Sequence, residues 1–204
     1  MIFKKCATSN CNLDHFFGIA LVATLAVGLM VFLAYIDISA AGRIKDASYT
    51  ENLQETLLIF SSAIFIYLAK KRNARGLLLV AGFFVCMWIR EWDAVFDDIS
   101  HGVWKYIAIP TAIGFTFWAL REGLQKVWDD LAEFMGSKSY DIIVAGLIIV
   151  LVVSRLLGNR AVWILMSGPD FKYVFKTFIE EGVELLGYMT VFVGSLHYYI
   201  NNRK

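Results

Sequence analysis

The amino-acid sequence predicts an all-α integral membrane protein, a single six-helix transmembrane bundle with its N- and C-termini in the cytoplasm. Hydrophobic residues make up 58% of the chain and the mean hydropathy is +0.60, whereas soluble domains are about 45 to 50% apolar. Apolar stretches recur six times, each near the ~20 residues that a hydrocarbon core of ~30 Å requires. The net charge of +1 gives no reason to expect a nucleic-acid partner.

The predicted spans form one domain that covers residues 1–204. They are residues 16–35, 53–69, 76–92, 103–120, 142–157 and 175–200. The first contains no charged residue and is longer than the apolar region of a signal peptide, so we expect it to be retained as a span. Each of the others contains or ends on charged residues, which are costly in hydrocarbon and mark candidate functional sites.

The basic residues set the predicted orientation, because lysine and arginine concentrate in cytoplasmic loops. With the N-terminus inside, eleven of the 19 lysines and arginines lie on the cytoplasmic side. The tight basic turn at residues 70–75 contributes most to this bias. We therefore expect a multi-pass protein of a bacterial inner membrane.

The acidic residues are distributed more unevenly than the basic ones. Under the same topology, twelve of the 18 aspartates and glutamates lie on the outer side. Three segments that are far apart in sequence, residues 50–55, 90–105 and 179–184, supply most of them. In either orientation, even-numbered spans begin and odd-numbered spans end on this side. The three segments are therefore predicted to share a leaflet.

Helical phase predicts that these segments converge. At 100° per residue, Glu181, Glu184 and Tyr188 fall within a stripe of ~60°. Glu55 shares a face of the second span with Glu51. Four helices are thus expected to offer polar faces at a similar depth.

One interpretation of this cluster is a metal site. The predicted ligands are Asp98, His101, Glu181 and Glu184, because carboxylates with one histidine suit Mg²⁺, Ca²⁺, Mn²⁺, iron or Zn²⁺. The spacing of Asp98 to His101 and of Glu181 to Glu184 points two ligands from each helix. The pattern also occurs by chance, so the sequence alone does not identify a metal.

A second interpretation is acid-base chemistry on a lipid head group, as in a membrane-embedded hydrolase, or binding of a lipid or other amphiphile. The predicted acid-base groups are Glu55, Asp98, His101, Glu181 and Glu184. The predicted ligand-binding residues are Arg90, Lys105, Arg155 and Tyr188, since guanidinium and ammonium groups bind the phosphate that lipids present at this depth.

Three alternatives use the same residues differently. The cations could pair with the carboxylates and lock helices together, since an unpaired charge would be costly there. A proton- or cation-coupled transporter would continue the polar path inward, but residues 60–69 and 189–196 offer only hydroxyl groups. A non-catalytic subunit would use the polar surface to dock a membrane-protein partner, and a homo-oligomer is also compatible with the sequence.

The remaining features are weaker. Residues 122–135 carry apolar side chains at helical spacing opposite charged ones, which predicts an amphipathic helix in the membrane surface. His15 and His197 lie on the same predicted side, where interfacial positions explain them more simply than a haem. No three-histidine zinc site of the ceramidase and adiponectin-receptor type and no serine-histidine dyad of the rhomboid type is apparent.

Overall fold

The structure of this protein is a computed structural model that describes residues 49–93, 96, 102–168 and 172–203, together with residues 24, 27–29, 31–33, 35 and 36. All regular secondary structure in these ranges is helical. The helices are α1 (Tyr49–Lys71), α2 (Leu77–Glu91), α3 (Trp104–Leu120), α4 (Leu124–Met135), α5 (Lys138–Ile148), α6 (Ser154–Gly158), α7 (Arg160–Ser167) and α8 (Tyr173–Asn202). A π-helical turn, Ile149–Val153, joins α5 to α6 in one continuous helix.

Helix α1 shows how local sequence sets a helix end. Lys70 and Lys71 occupy its last turn, where positive charge complements the helix dipole. Asn73 then adopts a φ of 54°, a left-handed conformation that asparagine tolerates better than most residues. The amide of Ala74 donates to the carbonyl of Ala69 at 3.0 Å, which is the bond that closes a Schellman motif. The chain therefore reverses tightly into α2.

An aromatic cluster lies in the core near this turn. Phe65 of α1 stacks on Tyr198 of α8 with ring centroids 5.6 Å apart and meets Phe84 of α2 at 5.8 Å. Phe134 of α4 packs edge-on against Phe65 at 5.3 Å. All four side chains are almost completely buried. They join four helices that are distant in sequence.

The long helix α8 packs against α1 and α5, while α2 packs against both α1 and α3. Close approach of α5 and α8 depends on small residues: a Cβ added at Gly146 would lie 2.8 Å from the carbonyl oxygen of Gly187. Small residues at such crossings are typical of helix packing in membranes, where dispersion contacts replace the hydrophobic effect.

Helix α4 lies across the end of the bundle at the position of the predicted amphipathic segment. Val127 and Phe134 are buried against the bundle, while Trp128 remains 57% exposed. The carboxylate of Asp130 accepts a hydrogen bond of 3.0 Å from the amide of Gly76, and Glu133 pairs with Arg72 at 2.6 Å. Polar contacts thus fix this helix to the turn between α1 and α2.

Two described helices are long and apolar enough to cross a membrane by length and composition. They are Tyr49–Lys71, with mean hydropathy 1.3, and Lys138–Gly158, with mean hydropathy 2.3. Helices α2 and α3 have 15 and 17 residues, and the 30 residues of α8 include several acidic ones. Helices α2 and α3 are shorter than 18 residues, and α8 does not meet the combined hydropathy and charge conditions for a span.

Candidate functional site

Glutamates gather at the end of the bundle where α1 and α8 begin and α2 ends. This region, here called the acidic end, contains the five glutamates Glu55, Glu91, Glu180, Glu181 and Glu184. Glu51, in the first turn of α1, lies near Glu181 and makes a sixth. Hydrogen bonds and ion pairs from α1, α2, α6 and α8 connect most of them. The structure thus brings residues from separate predicted spans to one end of the bundle.

Glu184 is the most buried of these glutamates, at 4% exposure. Its Oε1 atom lies 2.9 Å from Nη2 of Arg155 and 3.1 Å from the hydroxyl of Ser154, whose single proton is shared with the carbonyl of Val150 at 2.6 Å. The Arg155 side chain is 46% exposed, so one face of its guanidinium remains open. This contact joins α8 to α6 and compensates the buried charge.

Glu181 lies on the same helix, facing α1. The side-chain amide of Gln54 donates to the backbone carbonyl of Glu181 at 3.2 Å and to its carboxylate at 3.4 Å. Gln54 is itself 1% exposed. A buried amide is therefore satisfied by α8, and this contact holds the first turns of α1 and α8 together.

Tyr188 connects α8 to the end of α2. Its hydroxyl donates to Oε1 of Glu91 at 2.6 Å, a short bond of the kind that an ionised acceptor forms. Nη2 of Arg90 lies 4.0 Å from the same oxygen. The predicted ligand residues Arg90 and Tyr188 therefore both contact Glu91.

Glu180 pairs along its own helix with Lys176, Nζ to Oε2 at 2.6 Å. The Lys176 side chain is 9% exposed and its ammonium also lies 5.1 Å from the ring centroid of Tyr173. A Cβ added at Gly158 would lie 2.0 Å from Oε1 of Glu180. The end of α6 therefore approaches this ion pair as closely as glycine permits.

Glu55 and Glu181 form no salt bridge with a cation among the described residues, but Glu181 accepts from the Gln54 amide. Glu55 instead lies beside the indole groups of Trp88 and Trp92, with the carboxylate of Glu91 also near. The Nε1 atoms of both tryptophans are buried and make no aligned hydrogen bond within the described part of the chain. The two rings meet edge to face with centroids 5.8 Å apart.

An apolar groove of about 300 Å³ runs along the α1–α2 interface. Its lining consists of Leu58, Ile59, Ser62, Ala63 and Ile66 from α1, with Val85 and Trp88 from α2. Glu55 precedes Ile59 by one helical turn, and Trp88 both lines the groove and lies beside Glu55. Glu55 therefore stands at the head of the groove.

The other predicted site residues divide into two groups. Asp98 and His101 lie outside the described residues, so the proposed metal site of Asp98, His101, Glu181 and Glu184 stays a prediction. Within the described residues, no group of three or more potential metal ligands occurs. Lys105 is exposed with its ammonium 6.0 Å from the ring centroid of Trp104, and it forms no ion pair with the five glutamates.

Several residues of the acidic end were not singled out by sequence analysis. They are Glu91, Gln54, Ser154, Trp88 and Trp92. A signal for Glu91 was available, because it continues the apolar stripe of Ala81, Phe84 and Trp88 at helical spacing. Ser154 had no such signal, since its orientation depends on the π-helical turn before it.

The structure also pairs a serine with a histidine at the opposite end of the bundle. Oγ of Ser139 lies 2.8 Å from Nδ1 of His197, and Nε2 of His197 lies 3.2 Å from the amide nitrogen of Asn201. Ser139 is 2% exposed between α5 and α8. Because the hydroxyl is enclosed by the helix interface, this contact joins two helices and offers no open nucleophile.

No protein-family model, no curated protein and no solved structure matches this chain. The chemistry of the acidic end must therefore be argued from its own residues. Glu181, Glu184 and Glu91 already have hydrogen-bond donors from neighbouring helices. Glu55 has only the two indole N–H groups beside it, and their hydrogen bonds to it are poorly aligned. These three groups adjoin a groove of ligand size.

Proposed function

We propose that this protein is a multi-pass membrane protein that binds a lipid or other amphiphile at its acidic end. Exposed apolar side chains support the membrane setting beyond the two helices that meet the length and hydropathy conditions. On α3, Tyr106 is 79% exposed, Phe117 70%, Ile113 63% and Ile109 58%. Such a surface is unfavourable in water and costs nothing in hydrocarbon.

Six crossings account for these surfaces: the predicted span 16–35, then α1, α2, α3, the continuous helix α5–α6, and α8. The 17 residues of α3 extend about 25 Å, close to the hydrocarbon thickness of ~30 Å. The basic turn between α1 and α2 then lies on the cytoplasmic side of an inner membrane, with both chain ends. The acidic end faces the outer leaflet.

The single observation that carries the binding proposal is the position of Glu55, Trp88 and Trp92 at the head of the α1–α2 groove. Ligand pockets are mostly apolar, with a few polar groups that orient the ligand. The groove supplies the apolar wall, and these three side chains supply polar groups whose mutual hydrogen bonds are poorly aligned. An amphiphile matches this arrangement, because its apolar tail fits the groove and its polar head meets the three polar side chains.

Binding is better supported than catalysis by the contacts of the other carboxylates. Glu184 is paired with Arg155, and Glu91 accepts from Tyr188. These contacts join helices, so the residues act as supports that fix the geometry around the groove. An enzyme acting on a lipid head group would instead need one of them to be free to exchange a proton with the substrate.

The proposal is tested by a substitution that fills the groove with a larger side chain. Ala63 lines it and is exposed, so Ala63→Phe blocks the groove without burying a larger side chain in the core. We expect the wild-type protein, purified in maltoside micelles, to retain a lipid detectable by native mass spectrometry, and Ala63→Phe to lose it. Ala112→Phe, on the exposed face of α3, is the matched control and should retain it. Equal retention by all three proteins would overturn the proposal.

A further inference from the structure

We infer that the amphiphile bound in the α1–α2 groove carries an ammonium group in its head, an inference that rests on the proposed amphiphile site. The head of the groove contains the carboxylate of Glu55, with the carboxylate of Glu91 near it. The nearest cation to Glu91 is Arg90, at 4.0 Å, and Glu55 has no salt bridge among the described residues. This part of the site therefore has an excess of negative charge.

Charge complementarity selects among head groups. A purely anionic head would meet like charge from Glu55 in a medium of low dielectric, where repulsion is poorly screened. A neutral head would leave Glu55 without a counter-ion at the edge of the hydrocarbon region, where ionised groups are costly. An ammonium group provides the missing charge, and the alkyl chain attached to it fills the apolar groove below.

The tryptophans add a second, independent constraint. Trp88 and Trp92 present indole rings beside the carboxylate, and indole is the strongest cation–π partner among the aromatic side chains. Their buried N–H groups are poorly aligned with the Glu55 carboxylate, and a phosphate oxygen next to the ammonium would give them a better-aligned acceptor. A simple alkylammonium and a phosphocholine head both carry the ammonium group. Only the phosphocholine head also carries a phosphate oxygen.

Four amphiphiles with the same sixteen-carbon chain separate these possibilities. They are hexadecyltrimethylammonium, hexadecylphosphocholine, hexadecyl sulfate and hexadecyl maltoside. Each is titrated into the purified protein in maltoside micelles, and affinity is taken from the mole fraction that gives half of the change in melting temperature. We expect both ammonium compounds to bind about tenfold or more tightly than the sulfate and the maltoside, which is about 1.4 kcal/mol.

Substitutions test the residues. Glu55→Gln should remove the preference for ammonium heads, while Glu55→Asp, which keeps the charge, should retain it; gel filtration confirms that both remain monodisperse. Asp141→Asn alters an exposed carboxylate outside the acidic end and is the control. Trp92→Phe keeps an aromatic ring but removes an N–H group, so weaker binding of phosphocholine alone identifies a phosphate-bearing ligand. Unchanged binding of both ammonium compounds to Trp92→Phe identifies an alkylammonium.

Two outcomes would overturn the inference in distinguishable ways. If all four compounds bind the wild type equally and Ala63→Phe abolishes binding, the groove binds amphiphiles but does not select ammonium. If Ala63→Phe changes the binding of none of them, the groove is not the binding site and the proposed function fails with it. Tighter binding of the sulfate than of either ammonium compound would also contradict the predicted charge.

Discussion

Arg155 and Glu184 form an ion pair of 2.9 Å between a half-exposed guanidinium and a buried carboxylate. The two partners are unequal, because Arg155 has water available and Glu184 does not. Replacing Arg155 therefore changes the free energy of unfolding by a different amount from replacing Glu184. The pair also fixes α6 against α8, and Ser154 reinforces it through the second hydrogen bond to Glu184.

The first prediction follows from this asymmetry. Arg155→Ala should destabilise the protein by about 1 to 3 kcal/mol, less than a fully buried pair would lose because water screens the exposed arginine. Glu184→Gln should cost less, since Ser154 still has an acceptor and Arg155 turns to solvent. Chemical denaturation in detergent measures both changes. The double variant should lose less than the sum, and strict additivity would show that the pair contributes no coupling energy.

The second prediction concerns Tyr188 and Glu91. Tyr188→Phe removes the only hydroxyl that donates to Glu91 among the described residues and leaves a carboxylate whose side chain is 13% exposed. We expect a loss of about 1.5 to 3 kcal/mol, the range for a hydrogen bond to a charged group. Tyr67→Phe, at a ring that is 46% exposed, serves as the control in the same denaturation experiment. Equal stability of the two variants would mean that the 2.6 Å bond is not formed in solution.

The third prediction tests the contact between α5 and α8. Gly146→Ala places a methyl group 2.8 Å from both the carbonyl oxygen of Gly187 and a methyl group of Val191. The helices must separate, and we expect a loss of about 1 to 3 kcal/mol. Gly114→Ala on α3 meets nothing within 4 Å and should leave the melting temperature unchanged or higher, because alanine favours the helix. A neutral Gly146→Ala would contradict the close approach.

The fourth prediction is a pH dependence at the turn between α3 and α4. A hydrogen bond from Lys126, aided by Arg75, holds the pKa of Glu122 below its ordinary value of 4.5. A lowered pKa means that the folded state favours the ionised form, so this contribution is present above pH 4.5 and is lost as the pH falls through the folded pKa. Glu122→Gln should lower the melting temperature at pH 7, and its difference from wild type should vanish in the acidic range. A difference that stays constant with pH would exclude this ion pair as its cause.

Hydropathy and helical phase predicted part of the acidic end but not all of it. Glu181, Glu184 and Tyr188 were expected on one face of a helix, and the structure places contacts of all three at the acidic end. The helix-locking alternative anticipated a cation such as Arg155 beside Glu184. The other partners were not predicted: Gln54 for Glu181, Ser154 for Glu184 and Glu91 for Tyr188. A partner depends on the rotation of a neighbouring helix, which the sequence of one helix does not specify.

The α1–α2 groove illustrates the same limit. Glu55 stood out as a charge inside an apolar stretch, but the significance of Trp88 and Trp92 emerged only from their positions beside it. Tryptophan near a membrane surface is ordinarily explained by its amphipathic ring. Unaligned indole N–H groups can be recognised only when the surrounding atoms are placed.

The sequence by itself determined that the described chain is helical, where its apolar stretches begin and end, and that several of its glutamates belong to one end, because hydrophobicity and charge act locally along each helix. Tertiary structure decided which carboxylates are paired and which is left facing a groove. Arg155 shows the reason: the π-helical turn at Ile149–Val153 changes the rotation of α6 relative to α5 and places this arginine beside Glu184. The rotation and packing of the helices set the distance between the charged atoms of such a pair. Because an ion pair requires a separation of about 3 Å, a small change in rotation or packing decides whether it forms.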